Sequence, residues 1–413
     1  MPRYMAAALL AGALCLPSGT VAHAETLTLE QAIAKASEGA PRLKADGAAI
    51  EAARAGRTQA AVRPNPTVTV TGENLAGSGR YNVFSQSEIT ATYAQTLERG
   101  GKRDARTAFA ERGIGVAEAN AQVTRLDLAA QVERAYFDVI IADEVAWAAE
   151  YRLKTEREMQ VEALRRVRGY KDPLFVETRA AARVAQAQIN LDEAKWRQLA
   201  ARNVLASFWG GSGQGIEVVG GVLTQVSSPI AIARADEALE AATIARARAG
   251  VVLEESRRVQ DYTVSGGVRY LRGTGDVALV TGITIPIGRF DRNQGNIAAA
   301  QAERRRLEFL AEADRLQRLR RLAGLRAEAD AARLRADSIR TEVVPRTVRT
   351  LEQVREGYRR GGFAFRDVQD AADAIVEAQE SWLAAANQWR DLQTEIDRLS
   401  GRFDAPTGGE TEQ

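Results

Sequence analysis

The only cysteine and the only histidine of the 413-residue chain, Cys15 and His23, are the side chains best suited to nucleophilic or metal chemistry. Thiolate and imidazole groups are the usual ligands for zinc, copper and haem iron. Both residues lie in an N-terminal segment with a basic residue, an apolar run and a small-x-small cleavage site that ends at Ala24. We therefore expect residues 1–24 to be a secretory signal, which removes thiol and imidazole catalysis from the mature chain.

Lipidation is a second possibility for Cys15, because a lipoprotein cysteine is acylated after cleavage directly before it. Leu14 is bulkier than the residue that a lipoprotein signal places there, so the secretory interpretation is preferred. Carboxylate sites for magnesium or calcium stay open on composition, although the sequence contains no DxDxDG calcium loop. We predict a chain that is not an enzyme and needs no cofactor.

Two glycine-rich stretches could bind phosphate groups. WGGSGQGIEVVGG, from Trp209, follows a predicted helix and contains no lysine, whereas a dinucleotide loop needs a preceding strand and a P-loop ends in GK followed by Ser or Thr. QTLERGGKRDARTAFAE, from Gln95, is basic, but 56 Lys and Arg against 54 Asp and Glu leave a formal net charge of only +2. This balance gives no electrostatic basis for nucleic-acid binding. We interpret the first stretch as a linker and the second as a joint between two kinds of structure.

Long helices dominate the pattern that must position these stretches. The chain has 27% charged and only 6% aromatic residues, and its apolar fraction is rich in alanine, which suits helices packed closely side by side. No segment after residue 24 has the roughly 18 uninterrupted apolar residues of a membrane-spanning helix, so entry into a bilayer would need strands. The predicted helices are roughly 28–62, 101–168, 174–208, 231–260, 293–356 and 365–400. We expect Pro345 to kink or break the fifth, because proline lacks an amide hydrogen.

The chain repeats itself at a spacing of about 190 residues. PTVTVTGENLAGSG, from Pro66, corresponds to YTVSGGVRYLRGTG, from Tyr262, and each is followed by a second strand pattern and a long helix. We predict a tandem duplication, with a helix, two strands and a long helical hairpin in each half. The predicted organisation is a signal peptide at 1–24, a first repeat at 25–209, a Gly-rich linker at 210–230, a second repeat at 231–401 and a disordered tail at 402–413.

The predicted strands have one apolar and one polar face. In EITATYAQTL, for example, Ile89, Ala91, Tyr93 and Leu97 alternate with polar residues. Strands of about ten residues with this alternation match the wall of a membrane barrel, although the same pattern also occurs in soluble sheets packed on one side. Four strands cannot close a barrel, since the smallest single-chain barrels have about eight. Eight strands from two copies would fill with side chains, whereas twelve from three could leave a water-filled bore.

Glycine and proline mark the expected bends from strand to helix. Gly100 and Gly101 follow the second strand, and Pro286, Gly288 and Gly295 occupy the corresponding region of the second half. Glycine reaches backbone conformations that other residues avoid, and proline ends regular structure. We therefore predict that these five positions redirect the chain from sheet to helix, with the neighbouring basic charges marking the transition from lipid to periplasm.

Several motifs resemble the TolC family of outer-membrane channels, and in particular its branch for cobalt, zinc and cadmium efflux. They are RPNP from Arg63, LERGGKR from Leu97, FDRNQGNIAAAQAE from Phe290 and YRRGGFAFRDVQDA from Tyr358. Arg99 departs from the Leu that is common in the family before GGKR. The resemblance implies a mainly α protein with a small membrane β part: a long helical periplasmic barrel, and four strands per protomer in a shared 12-stranded barrel of a homotrimer.

The resemblance also implies partners and sites. The partners would be a periplasmic adaptor, an inner-membrane pump of the resistance, nodulation and division (RND) class, and outer-membrane lipid, with most of the chain projecting into the periplasm. The adaptor-docking turns carried over from the family are Gly169, Tyr170, Asp172 and Pro173 in the first repeat and Gly357, Tyr358, Gly361, Gly362 and Phe365 in the second. We further predict that Arg359, Arg360 and Asp367 contribute to closure of the tip.

These expectations describe a passive exit duct for heavy-metal cations within a tripartite efflux system. The main alternative is the exit channel of a type I secretion system or a drug pump. An alternative of another class is a periplasmic coiled-coil scaffold without a membrane part. Neither cysteine nor histidine remains in the predicted mature chain, so cation selectivity would have to reside in the pump.

Overall fold

The computed structural model describes residues 25–224 and 231–404. The predicted signal peptide, residues 225–230 of the predicted linker and residues 405–413 of the predicted tail lie outside the described residues. The eight α-helices of the described part are α1 (Leu29–Gly39), α2 (Pro41–Ala60), α3 (Lys102–Arg168), α4 (Phe175–Ser207), α5 (Arg234–Arg257), α6 (Gln294–Ser338), α7 (Val344–Arg360) and α8 (Phe365–Ser400). The strands are β1 (Glu25–Leu27), β2 (Thr67–Glu73), β3 (Glu88–Leu97), β4 (Ile216–Val218), β5 (Tyr262–Leu271) and β6 (Asp276–Thr284).

The molecule is an elongated arrangement of helices with a small sheet at one end. Helix α3 has 67 residues and, at about 1.5 Å per residue, is about 100 Å long. It forms an antiparallel hairpin with α4, while α7 and α8 form a second hairpin that packs beside it. Within residues 25–224 and 231–404, no helix is both long enough and apolar enough to cross a membrane.

The sheet has four antiparallel strands in the order β2-β3-β5-β6. Its register places Val68 opposite Tyr93, Ala91 opposite Val268, and Val268 opposite Leu279, so the apolar positions of all four strands share one face. This face is uncovered, since Val68 is 72% and Leu279 86% exposed. The other face carries mainly threonine and serine, together with Arg269, which pairs with Glu88 at 3.0 Å.

Three local features add detail to the predicted order of elements. The expected helix at 28–62 is two helices, because Pro41 begins α2 and the backbone of Ala40 is extended. The break expected near Pro345 is confirmed: a π-helical turn at Ile339–Val343 separates α6 from α7, where proline occupies the first turn and needs no amide partner. The predicted linker is not wholly irregular, because β4 pairs in parallel with β1.

The two largest of the five hydrophobic clusters in the described residues lie at different places along the helices. One surrounds Tyr136 on α3, whose hydroxyl contacts the carbonyl oxygens of Leu27 (2.9 Å) and Val219 (2.6 Å). The second lies at the far end of the hairpins, around Tyr358 and Phe365. The hairpins are therefore packed against each other at the end that is remote from the sheet.

A buried group of charges lies beside the first core. Glu133 on α3 and Asp397 on α8 are both 0% exposed, and each contacts Arg402. Arg390, 2% exposed, donates to the carbonyls of Val222 and of nearby linker residues. We call Glu133, Asp397, Arg402 and Arg390 the buried charge group; it ties α3, α8, the linker and the turn after α8 together.

Candidate functional site at the helical tip

The turn between α3 and α4 and the turn between α7 and α8 lie side by side at the tip of the hairpins. Arg166, near the end of α3, donates to the carbonyl oxygen of Tyr358 near the end of α7. The Tyr358 hydroxyl donates in return to the carboxylate of Asp172 in the first turn. Two hydrogen bonds therefore join the hairpins across about 190 residues of sequence.

The Arg166–Asp172 pair is the rigid part of this contact. Nε and Nη2 of Arg166 each lie 3.0 Å from a different oxygen of Asp172, which is the bidentate geometry that arginine forms best. The side chains are only 10% and 13% exposed. The hydrogen bonds from Arg166 lower the pKa of Asp172 below its ordinary value, with a further contribution from Tyr358. Asp172 is consequently an ionised acceptor at neutral pH.

Tyr358 is the centre of the tip. Its ring is 2% exposed, lies 5.9 Å from the ring of Phe365 and has the guanidinium of Arg166 4.3 Å above it. Burial, followed by the hydrogen bond to Asp172, raises the pKa of the phenol above its usual value. The hydroxyl is therefore always a donor in this site. We call Arg166, Asp172 and Tyr358 the tip cluster.

Backbone geometry explains two of the predicted tip glycines. Gly361 ends α7 with φ +88°, a conformation that glycine adopts without a Cβ penalty. A Cβ on Gly357 would lie 2.2 Å from the ring of Phe363, so the absence of a side chain lets that ring fold back on the helix. The amide of Gly362 closes the turn by donating to the carbonyl of Gly357 at 2.9 Å.

The first turn presents an exposed apolar surface. Gly169 ends α3, Tyr170 follows with φ +58° and is 97% exposed, and Pro173 leads into α4. Leu174 is 72% and Phe175 63% exposed. Across the second turn, Phe363 is 47% exposed. Sequence reasoning did not single out Leu174, Phe175, Phe363 or Arg166, because an isolated apolar or basic residue near a turn carries no periodic signal.

The structure does not bring the three predicted closure residues together. Arg359 and Arg360 both pair with Glu356 on their own helix, at 3.2 and 2.8 Å. The carboxylate of Asp367 accepts a hydrogen bond from the amide of Ala364 at 2.8 Å and so caps the start of α8. All three side chains are exposed at the surface of the tip.

Further ion pairs connect the hairpins above the tip. Arg355 on α7 lies 2.9 Å from Glu158 on α3. Arg183 on α4 donates to Glu156, which is 4% exposed, and also to Asp373 on α8. These pairs extend the contact between the two hairpins away from the turns.

The predicted strand-to-helix bends lie at the other end of the molecule. Gly100 and Gly101 have φ +69° and +70° between β3 and α3. In the second repeat Pro286 and Gly288 lie in the irregular segment after β6, while Gly295 already belongs to α6. There the left-handed residue is Asn293, with φ +59°, which the sequence analysis missed. Asparagine tolerates this conformation better than most residues with a side chain.

The tip offers hydrogen bonding, charge pairing and an apolar surface, and these serve contact between helices. Over residues 25–224 and 231–404, no group of three or more His, Cys, Asp or Glu side chains could hold a metal ion. The tip cluster thus fastens the two hairpins to each other.

Comparison with known proteins places this geometry in a family. Residues 32–211 match the model of the outer membrane efflux protein family. The cobalt-zinc-cadmium resistance protein CzcC of Cupriavidus metallidurans is 31% identical over 386 residues, which cover 91% of this chain and 90% of the relative. The nickel-cobalt-cadmium resistance protein NccC of Alcaligenes xylosoxydans xylosoxydans is 25% identical, over 82% of this chain and 74% of its own length.

The fold has solved counterparts as well. The crystal structure of the outer membrane protein VceC from Vibrio cholerae superimposes with a TM-score of 0.72 at 18% identity, covering 90% of this chain and 96% of that chain. The structure of the outer-membrane channel OprN gives a TM-score of 0.73 at 19% identity, covering 90% of this chain and 89% of its own. The predicted TolC-like fold is confirmed by these likenesses.

Proposed function

The chain belongs to the outer membrane efflux protein family, and from that premise we propose that it is the passive exit duct of a tripartite system that expels heavy-metal cations. The observation that carries the proposal is the four-stranded sheet with an uncovered apolar face, which leads directly into the long helices. A sheet of this kind fits a lipid environment, and helices of this length fit a conduit across the periplasm.

The edges of the sheet support assembly as a homotrimer. In the described chain β2 pairs only with β3, and β6 only with β5, so each outer strand keeps one side for another partner. Unpaired backbone groups in hydrocarbon cost several kcal/mol each. Three copies would supply twelve strands, pair every edge and leave room for an aqueous bore.

The tip is proposed as the regulated end of the duct. The tip cluster holds the α7–α8 hairpin against the α3–α4 hairpin, and an opening movement would have to break its hydrogen bonds. The exposed Tyr170, Leu174 and Phe175 lie beside it and provide an apolar surface for a periplasmic adaptor, which in turn would couple the duct to an inner-membrane pump of the RND class.

Heavy metals are proposed as the cargo because CzcC and NccC are named as resistance proteins for cobalt, cadmium and either zinc or nickel. If residues 1–24 are removed, the mature chain contains no cysteine or histidine, and its one methionine, Met159, is only 3% exposed, so the duct lacks accessible soft ligands with which to retain these ions. Passage without tight binding is what an exit duct requires.

Growth of a deletion strain tests the cargo. With the partner pump expressed, loss of this chain should lower tolerance to cobalt, zinc or cadmium, and the plasmid-borne gene should restore it. Unchanged metal tolerance together with new sensitivity to dyes or antibiotics would instead assign the chain to a drug pump.

Membrane fractionation tests the class of protein. A barrel protein should stay with outer membranes through carbonate and urea washes and be released only by detergent. A coiled-coil scaffold would be removed by the washes, and that result would contradict the proposal.

Single-channel conductance tests the closure residues. Alanine variants of Arg359, Arg360 and Asp367 should open more readily than the parent in planar bilayers. Conductance and open times that match those of the parent would limit these residues to their local contacts with Glu356 and Ala364.

A further inference from the structure

A groove of about 750 Å³ lies at the end of the sheet where strand gives way to helix. It is formed by the segment between α2 and β2 and by the segment from the end of β3 to the start of α3. Arg63, Arg99 and Arg103 line it, and so does Leu97, which belongs to the apolar face of the sheet. The groove therefore joins the uncovered apolar face to a group of basic side chains.

Arg99 is fixed at the border of the apolar face. Its guanidinium lies 4.0 Å over the ring of Tyr262, and Tyr262 is the register partner of Leu97 on that face. The Arg99 amide donates to the carboxylate of Asp261 at 2.9 Å, which orients the backbone at this point. Stacking on a ring leaves the edge of the guanidinium and its N–H donors available for an anion.

Local carboxylates neutralise other cations of the groove but not Arg63 or Arg99. Lys102 pairs with Asp261 at 2.8 Å, and Arg103 lies 3.9 Å from Asp104. Among the residues that the structure describes, no carboxylate forms an ion pair with Arg63 or Arg99. The groove accordingly keeps uncompensated positive charge next to apolar surface.

The corresponding end of the second hairpin has the same combination. After β6 the guanidinium of Arg289 lies 5.4 Å from the centre of the Phe290 ring, and Phe290 is 84% exposed. Strands of about ten residues, tilted as in membrane barrels, give an apolar band about 25 Å tall, so these arginine–aromatic pairs lie at one boundary of that band. Arginine with an aromatic ring is a typical interfacial anchor in membranes.

We propose that this groove is a binding site for the phosphate of an anionic phospholipid headgroup, with Arg99 and Arg63 as the phosphate ligands and the acyl chains lying along Leu97 and the strands above it. The inference rests on the proposed function, because it requires the apolar face to lie in lipid. It goes further by assigning a chemically selective site for one lipid class to one end of the sheet.

The test uses the full mature protein in nanodiscs of phosphatidylcholine, with or without one quarter phosphatidylglycerol. Thermal unfolding and the phosphatidylglycerol retained after detergent extraction are measured. We expect phosphatidylglycerol to raise the melting temperature and to co-purify, and we expect Arg99→Leu to weaken its binding about fivefold, since one basic residue near an anionic surface contributes about that factor. Arg63→Gln should have a similar effect, and Tyr262→Leu a smaller one.

Arg272→Leu is the matched control, because Arg272 is an exposed arginine at the opposite end of the sheet. It should leave phosphatidylglycerol binding unchanged.

Equal loss in Arg272→Leu and Arg99→Leu, or equal retention of phosphatidylglycerol and phosphatidylcholine by the parent, would overturn the proposal. Full competition by inorganic phosphate or glycerol phosphate at the concentration of the lipid would also overturn it, because the site would then serve soluble anions. Failure of the protein to enter nanodiscs at all would refute the proposed function as well, and so is distinct from a selective failure.

Discussion

Glu133 in the buried charge group should make the stability of the protein depend on pH in a direction opposite to that of most carboxylates. Its side chain is 0% exposed, its Oε1 accepts from Arg402 at 2.8 Å, and its Oε2 has no hydrogen-bond donor in the described residues. Burial, followed by the neighbouring charge of Asp397, raises its pKa from 4.5 to about 8. Arg402 and Arg390 oppose this shift without cancelling it. The direction of this shift leads us to expect that Glu133 is a neutral acid in the folded protein at pH 7.

The sign follows from where the two pKa values lie. The pKa of Glu133 is higher in the folded protein than in the unfolded chain. The contribution of Glu133 to the free energy of unfolding is therefore fully present below pH 4.5 and is lost as the pH rises towards 8. At 1.36 kcal/mol per pH unit, a pKa difference of about 3.5 corresponds to about 5 kcal/mol per chain. With about 2.1 cal/mol/K per residue over a mature chain of about 390 residues, this is about 6 °C in melting temperature.

Glu133→Gln provides the perturbation, since glutamine copies the shape and the donor of the protonated acid. Tryptophan fluorescence during thermal unfolding in detergent, from pH 5 to pH 9, provides the assay. We expect parent and variant to melt together at pH 5 and the variant to melt about 6 °C higher at pH 8.5. Melting curves of parent and variant that stay parallel over the whole range would refute the neutral-acid interpretation.

Glu156→Gln is the control for this experiment. Glu156 is also buried, at 4% exposed, but Arg183 donates to both of its oxygens. Removal of its charge should weaken the protein by a similar amount at pH 6 and at pH 9. A pH-dependent effect confined to Glu133→Gln would then identify Glu133 itself as the titrating group.

Three other substitutions follow from the hairpin contacts. Tyr358→Phe removes the hydroxyl that donates to Asp172. It should cost about 1 kcal/mol of stability and lengthen the open times in planar bilayers. Open times equal to those of the parent would show that the tip cluster does not hold the duct closed. Gly361→Ala places a Cβ at φ +88° and should cost about 1 kcal/mol, measured as a lower melting temperature of the protein, whereas no loss would mean that the turn relaxes. Arg183→Ala leaves Glu156 buried without its partner and should cost about 3–5 kcal/mol, visible as increased proteolysis of the hairpins; resistance equal to the parent would show that water replaces the guanidinium.

Local pattern was sufficient for most of the helices and for the four strands of the large sheet, although it missed the break between α1 and α2. Helix α3 was predicted at 101–168 and occupies Lys102–Arg168, because glycines border both of its ends. The apolar alternation of the four strands fixed their common face, since a shift of one residue would have reversed every side chain.

The contacts between distant segments could not be obtained in this way. Strands β1 and β4 have three residues each, which is too short for a period to appear, and the Tyr136 hydroxyl that bonds to Leu27 and Val219 comes from a distant helix. The buried charge group joins a glutamate in the middle of α3 to residues after position 389, and neither position differs in pattern from the charged surfaces of the same helices. At the tip the turn motifs were found, but the bond from Arg166 to Tyr358 needs coordinates because it crosses between hairpins.

The unpaired outer edges of β2 and β6 also have a genetic consequence. If each closed ring draws three chains at random from one pool, a cell that makes equal amounts of intact chain and of a chain with a defective edge forms fully intact rings in only about one case in eight. A faulty allele should therefore act dominantly over a normal one. The share of intact rings should fall as the cube of the intact fraction of chains, which gives a dosage curve that a solitary barrel would not produce.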